Sequence, residues 1–203
     1  MFLSWKLKWL GMILIKARKR LSILDVKHLK EILAYFHFLC YNTYRKEEGH
    51  LTNQKGTAMT IWFDMDGTIA NLYAVEGWLD YLINENVYPY AKAETMLNFS
   101  SFAKLLNKLQ KKSYKIGIIS WMSKSGSENY NLAVETAKRA WLARHLPSVE
   151  WDEIKIVRYG TNKYITCGGG ILFDDEQGNR DNWKDTAYEP CKIMEVLKEL
   201  INS

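Results

Sequence analysis

Residues 59–203 repeat one pattern: a short apolar run that ends in polar residues, then a longer amphipathic stretch. The runs are Thr60–Asp66 (TIWFDMD), Tyr114–Ser120 (YKIGIIS), Glu153–Tyr159 (EIKIVRY) and Gly170–Asp175 (GILFDD), and they read as strands. The stretches Phe99–Lys112, Leu132–His145 and Pro190–Ile201 read as helices, with Pro190 suited to a first helical turn. Strands alternating with helices predict an α/β fold, a three-layer parallel sheet covered on both faces.

Residues 1–58 are composed differently. They hold eleven Lys/Arg against four Asp/Glu, a balance of +7, whereas residues 59–203 hold 17 against 19, a balance of −2. The chain's net charge of +5 therefore belongs to its N-terminal piece and gives no reason to expect a stable nucleic acid partner. That piece reads as a basic helical extension and linker. Trp and Lys interleave in Met1–Leu10, Met12–Ile15 is apolar, Lys16 to Arg20 is a basic cluster, and residues 45–58 are polar. Three readings compete for it: a helix contacting a membrane surface through residues 1–20, a helical hairpin packed on the main domain, or a stretch outside the natural protein, whose true start is Met59. The apolar run is too short to span a bilayer, and no small-residue cleavage site follows it. Cys40, Cys167 and Cys191 are too few and too scattered for a disulfide framework, and no CxxC pair suggests zinc. They read as thiols of a reducing compartment, which points to the cytoplasm.

Three of the four strands end in residues that can do chemistry, and open α/β sheets bind ligands at the carboxyl ends of their strands. The first ends Asp64-Met65-Asp66-Gly67-Thr68. Carboxylates at i and i+2 of an extended chain point to the same side. Two acids left together after Ile61-Trp62-Phe63 are costly unless a cation neutralises them. The second strand ends at Ser120 and the fourth at Asp174-Asp175.

This set resembles the haloacid-dehalogenase-like phosphohydrolases, whose signature is DxDGT ending the first strand, a Ser or Thr ending the second, a Lys in the following helix and an acidic pair ending the fourth. Here these are Asp64–Thr68, Ser120, a lysine and Asp174-Asp175. Within that superfamily the chain is most similar to the 5'(3')-deoxyribonucleotidases. They share a DMDG start, a Lys-x-x-Trp-x-x-x-His-Leu helix matched by Lys138, Trp141, His145 and Leu146, and an Ile-Asp-Asp motif, here Leu172-Phe173-Asp174-Asp175. The resemblance covers nearly all of residues 59–203 and none of 1–58.

The resemblance implies a Rossmann-like fold and a Mg²⁺-dependent phosphomonoester hydrolase. Asp64 is then the nucleophile and Asp66 the acid and base. Asp64, the Asp66 carbonyl and Asp174 hold Mg²⁺, and Asp175 orients a ligand or a bound water. Lys138 neutralises the phosphoryl group and Asp64. Thr68, Ser120, Trp121 and Lys163 complete the substrate side, with Lys163 the rival for the phosphate lysine and Arg158 a weaker one. A small helical cap is expected at about residues 71–99, rich in Tyr73, Trp78, Tyr81, Tyr88 and Tyr90. Rings at helical spacing are most often core, although a base-stacking pocket would use them too. The Ser-rich segment Trp121–Asn129 reads as a long loop that departs from the deoxyribonucleotidase pattern, and Gly168-Gly169-Gly170 as a flexible entry to the last strand. Glu176 and Asp181 read as parts of a polar surface turn. The expected substrate is a small phosphorylated molecule such as a nucleoside monophosphate. Polynucleotide ends, a sugar phosphate, or phosphate-ligand binding without turnover stay open, as does the oligomeric state.

Overall fold

The computed structural model describes residues 58–203, so the expectations for the basic N-terminal piece, Cys40 included, lie outside the described residues. The strands are β1 (Thr60–Phe63), β2 (Ala70–Asn71), β3 (Glu94–Thr95), β4 (Lys115–Trp121), β5 (Glu153–Val157), β6 (Ile171–Phe173) and β7 (Thr186–Tyr188). The helices are α1 (Trp78–Ile83), α2 (Tyr88–Lys92), α3 (Phe99–Lys111), α4 (Glu128–His145), α5 (Lys163–Cys167), α6 (Gln177–Asn182) and α7 (Ile193–Asn202).

Five strands form a sheet in the order β5-β4-β1-β6-β7, every neighbouring pair parallel. Successive side chains of β1 go to opposite faces. Ile61 and Phe63 join a core with Phe102, Leu106, Trp141 and Val196 from α3, α4 and α7. Trp62 packs on the other side with Ile119, Leu172 and Trp183. Both faces are thus covered, and the chain has the expected three-layer α/β architecture. Phe63 stacks on Phe173 of β6 with ring centroids 5.1 Å apart and meets Phe102 edge-on at 5.2 Å. Such ring pairs contribute about 0.5–1.5 kcal/mol beyond their area burial, and they fix the β1 and β6 ends together.

From β1 the chain moves through α3 to β4 and through α4 to β5, then jumps back past β1 to β6 and on to β7. Parallel crossovers keep one hand, so the reversal sends the connecting helices to the opposite face. The neighbours β1 and β6 therefore lead their chains away in opposite directions, and a crevice opens at their carboxyl ends.

The long helices carry their own start signals. The Ser127 side chain caps α4 by accepting from the Tyr130 N–H, and Glu128 favours the same end of the helix dipole. Val134, Lys138, Trp141 and Leu142 then fall on the buried face at helical spacing. Asn98 caps α3 in the same way, accepting from the Ser101 N–H.

Four local expectations are corrected. α4 starts at Glu128, not Leu132, so the Ser-rich connection shrinks to Met122–Ser127, and the Glu85 carboxylate fastens it by accepting from the Ser127 N–H and hydroxyl, both at 2.6 Å. The glycine run is a tight fit rather than a flexible entry: Gly170 has φ +106°, a Cβ there would collide with the Thr60 carbonyl, and its N–H donates to Asp185 at 2.8 Å. Pro190–Lys192 forms a 3-10 turn before α7. The insertion between β2 and β3 holds a 3-10 turn and two short helices, and α1 has no buried residue, so the insertion has little core of its own. Among the described residues no helix is long and apolar enough to cross a membrane.

Candidate active site

Where β1 ends, the backbone turns sharply: the Met65 carbonyl accepts from the N–H groups of Thr68, Ile69 and Ala70 at 2.8–3.1 Å. Gly67 takes φ +73°, which favours glycine. Met65 is buried in the core, while Asp64 and Asp66 on either side line one cleft. The Asp64 N–H donates to the Phe173 carbonyl at 2.9 Å, so the β1 ladder with β6 extends to the acid itself.

Asp64, Asp174 and Asp175 each bring one carboxylate oxygen within 4.8 Å of the others. Asp174 is fully buried and well held: its Oδ1 accepts from the Glu176 N–H at 2.9 Å, and its Oδ2 from Lys163 at 2.6 Å. Asn179 adds contacts to both oxygens at 3.1 and 3.2 Å. Arg180 donates to the carbonyls of Asp174 and Asp175 at 2.8 and 2.7 Å, which fixes the strand end from behind. Asn179 and Arg180 escaped the sequence reading, which treated this stretch as a surface turn. Their signal is two polar side chains one helical turn past the acid pair.

Asp64 and Asp174 share one ammonium, and Asp175 stands beside them without a cation among the described residues. Burial works against the charge on Lys163, but Asp64 and then Asp174 outweigh it and hold the lysine above its ordinary range. The surplus negative charge goes the other way for the acids. Burial, then Asp64, then Asp174 push the Asp175 carboxyl up to about 7. Burial and Asp64 also push Asp174 up, against the pull of Lys163.

The two candidate lysines take distinct places. Lys163 lies 3.1 Å from Asp64 Oδ1 and lines the cleft. Lys138, expected at Asp64, instead pairs with Asp66 at 2.6 Å. The expected contact to the nucleophile candidate thus belongs to the rival lysine. Lys163 is off the line of a hydrogen bond to Asp64, and among the described residues no other donor reaches its buried Oδ1. An orphaned carboxylate oxygen beside two more oxygens suits a hard divalent cation such as Mg²⁺. The Asp66 carboxylate stands outside this oxygen cluster.

Ser120 lines the cleft from the end of β4, and Trp121 beside it donates from its indole to the Thr161 carbonyl at 2.9 Å. Thr68, expected to touch substrate, is fully buried and does not line the cleft. Its hydroxyl accepts from the Asp175 N–H at 3.1 Å and so positions that acid. Arg158 pairs with Glu128 in solvent, away from the acids. Glu176 lines the cleft, whereas Asp181 only accepts from Gln177 at the surface.

The cleft encloses about 400 Å³ above the acids. One wall is Tyr73, Trp78, Leu79 and Ile83 from the insertion, and the other is Trp121 and Tyr159, whose rings lie 4.7 Å apart. The core reading of the insertion's aromatics holds only for Tyr90; Tyr73 and Tyr88 are exposed, and Tyr81 stacks on Tyr88 at 5.0 Å near the surface.

No protein-family model matches this chain, and no curated protein matches it. Among solved structures it is similar to the D,D-heptose 1,7-bisphosphate phosphatase of Burkholderia thailandensis, with a TM-score of 0.43 and 11% identity, covering 71% of this chain and 99% of that one. A likeness at that level does not reach the chemistry, which the side chains alone have to support.

Proposed function

We propose that this chain is a Mg²⁺-dependent phosphomonoester hydrolase of the haloacid-dehalogenase type, acting on nucleoside monophosphates. The observation that carries the reading is the cluster of Asp64, Asp174 and Asp175, with the Lys163 ammonium against the first two, at an apolar-walled cleft that Asp64, Asp175 and Lys163 line. Asp64, Asp174 and Asp175 would hold the metal, which supplies charge neutralisation for the phosphoryl oxygens.

The residues then divide the work. A carboxylate oxygen of Asp64 bonds to phosphorus as the bond to the leaving oxygen breaks, and Asp66 passes its proton to that oxygen. Burial first, and the charge of Asp64 after the opposing pull of Lys138, raise the Asp66 pKa, which suits a group that must carry a proton. Water next attacks the aspartyl-phosphate, Asp66 takes the water's proton, and Asp64 and inorganic phosphate are released. Lys163, charged and in the cleft, offsets the charge gathering on the phosphoryl group. Ser120 offers a hydroxyl to one of its oxygens.

For the leaving group, the rings of Tyr73, Trp78, Trp121 and Tyr159 support a flat aromatic partner such as a nucleobase, since base stacking on such rings is worth about 1–3 kcal/mol.

The test is phosphate release from nucleoside monophosphates and sugar phosphates, with Mg²⁺ and with chelator, beside Asp64→Asn. Nucleotide turnover that needs Mg²⁺ and vanishes in the variant is expected. Turnover of sugar phosphates alone would overturn the nucleotide assignment. No turnover of any phosphoester by folded protein would overturn the hydrolase reading.

A further inference from the structure

We infer that Lys138 is a positioning residue for Asp66 and not a ligand of the phosphoryl group; the inference rests on the proposed hydrolase chemistry. A lysine ammonium has three N–H donors and no more. Lys138 donates to Asp66 Oδ2 at 2.6 Å, to Ser120 Oγ at 2.9 Å and to the Trp121 carbonyl at 2.7 Å. All three donors are occupied by the protein. The side chain is 1% exposed, sits over the Tyr90 ring at 5.1 Å, and does not line the cleft. Lys163 and Lys124 do line it, and Lys163 is the one beside Asp64.

The mount is rigid. Lys138 springs from the buried face of α4, and one turn further on the Trp141 indole donates to the Ala93 carbonyl at 2.7 Å. The ammonium therefore ties three things together: Asp66, the Ser120 hydroxyl next to the end of β4, and the backbone of Trp121, where β4 ends. With Oδ2 of Asp66 held back by Lys138, Oδ1 is the oxygen left to give a proton to the leaving group. A proton donor fixed in this way matters in proportion to how much the leaving group needs the proton.

That dependence separates the roles. A residue that binds the phosphoryl group, or only supports the fold, affects every phosphoester alike. One that positions the acid affects esters with poor leaving groups and spares those whose leaving group departs as an anion. The experiment measures kcat/KM, which reports events up to leaving-group departure, with Mg²⁺ for a nucleoside monophosphate, phenyl phosphate and 2,4-dinitrophenyl phosphate. Lys138→Met is expected to lose about 100-fold on the first two and less than about fivefold on the third, the scale of general acid catalysis. Asp66→Asn is expected to show the same slope.

Removing Lys138 alone leaves a buried acid without its partner, so Lys138→Met with Asp66→Asn is the companion variant. In that background the lysine's loss is expected to add no further leaving-group dependence, because the acid it positions is already gone, and any added fall is uniform, through its bond to Ser120 Oγ. An equal loss on all three esters, or a double variant more dependent on the leaving group than Asp66→Asn alone, would overturn the inference. Wild-type protein that hydrolyses none of the three would overturn the hydrolase reading itself, before any variant is compared.

Discussion

Lys163 stands 2.6 Å from Asp174 and 3.1 Å from Asp64, although α5, which carries it, is a five-residue helix at the far end of the β5 connection. One ammonium thus bridges the acids that end β1 and β6, the two strands whose chains diverge to open the crevice. The bridge is 2% exposed, so little solvent shares the load. It offsets part of the repulsion that would otherwise push those strand ends apart.

Replacing Lys163 by Met keeps the bulk and removes the charge. Removing one partner of a buried pair costs about 3–5 kcal/mol, and here the acids left behind also repel one another. Lys163→Met is therefore expected to unfold at lower urea than wild type in chelator. Mg²⁺ is expected to recover much of the difference, because an ion that binds only the folded state stabilises it. Urea midpoints with and without Mg²⁺ measure both effects. A variant as stable as wild type in chelator would show that the acids do not depend on this lysine.

Acidity should act on the same cluster. With the Asp175 carboxyl pushed up to about 7 by burial and its acidic neighbours, and an unfolded aspartate near about 3.9, the folded chain keeps a proton across that interval that the unfolded chain has released. Folding is then favoured at the acidic end and loses that contribution as the pH rises toward 7. Metal-free protein is expected to melt lower at pH 8 than at pH 5. Mg²⁺ competes with the proton, so its stabilising shift in Tm is expected to be larger at pH 8. Thermal melts in chelator and in Mg²⁺ at the two pH values check this, and a metal-free Tm that rises toward pH 8 would contradict it.

Gly67 and Gly160 both take positive φ, +73° and +80°, but a Cβ at Gly67 would overlap the Asp175 carboxylate while one at Gly160 meets nothing within 4 Å. Alanine at either position is expected to cost about 1 kcal/mol for the backbone alone. Only Gly67→Ala displaces an acid of the cluster, and it is expected to weaken Mg²⁺ binding by about tenfold or more. Calorimetric titration with Mg²⁺ on both variants separates the two effects; equal affinities would place Asp175 outside the metal site.

The acids were legible from the chain because of what precedes them. In a parallel sheet covered on both faces a strand is apolar throughout, so a polar residue ending such a run marks the edge where ligands bind. Asp64, Ser120, Asp174 and Asp175 all follow this rule. Lysines do not, because a long side chain on a helix is placed by the phase of that helix. The Trp141 and His145 context pointed to Lys138, while Lys163 sits in a helix too short to show periodicity. β7 was missed because Thr186-Ala187-Tyr188 is a three-residue edge strand with no apolar run. The aromatics of the insertion were misread for a reason of size: two short helices between β2 and β3 cannot enclose a core, so most of their rings stay at the surface or face the cleft.

The ladder between β2 and β3 brings Asn71 and Glu94 side by side, so the chain leaves and re-enters the fold at nearly one point. Residues 72–93 form a closed excursion that supplies one cleft wall and none of the clustered acids. A segment with adjacent ends can be exchanged as a unit, so a change in what the cleft admits need not disturb the acids beneath it.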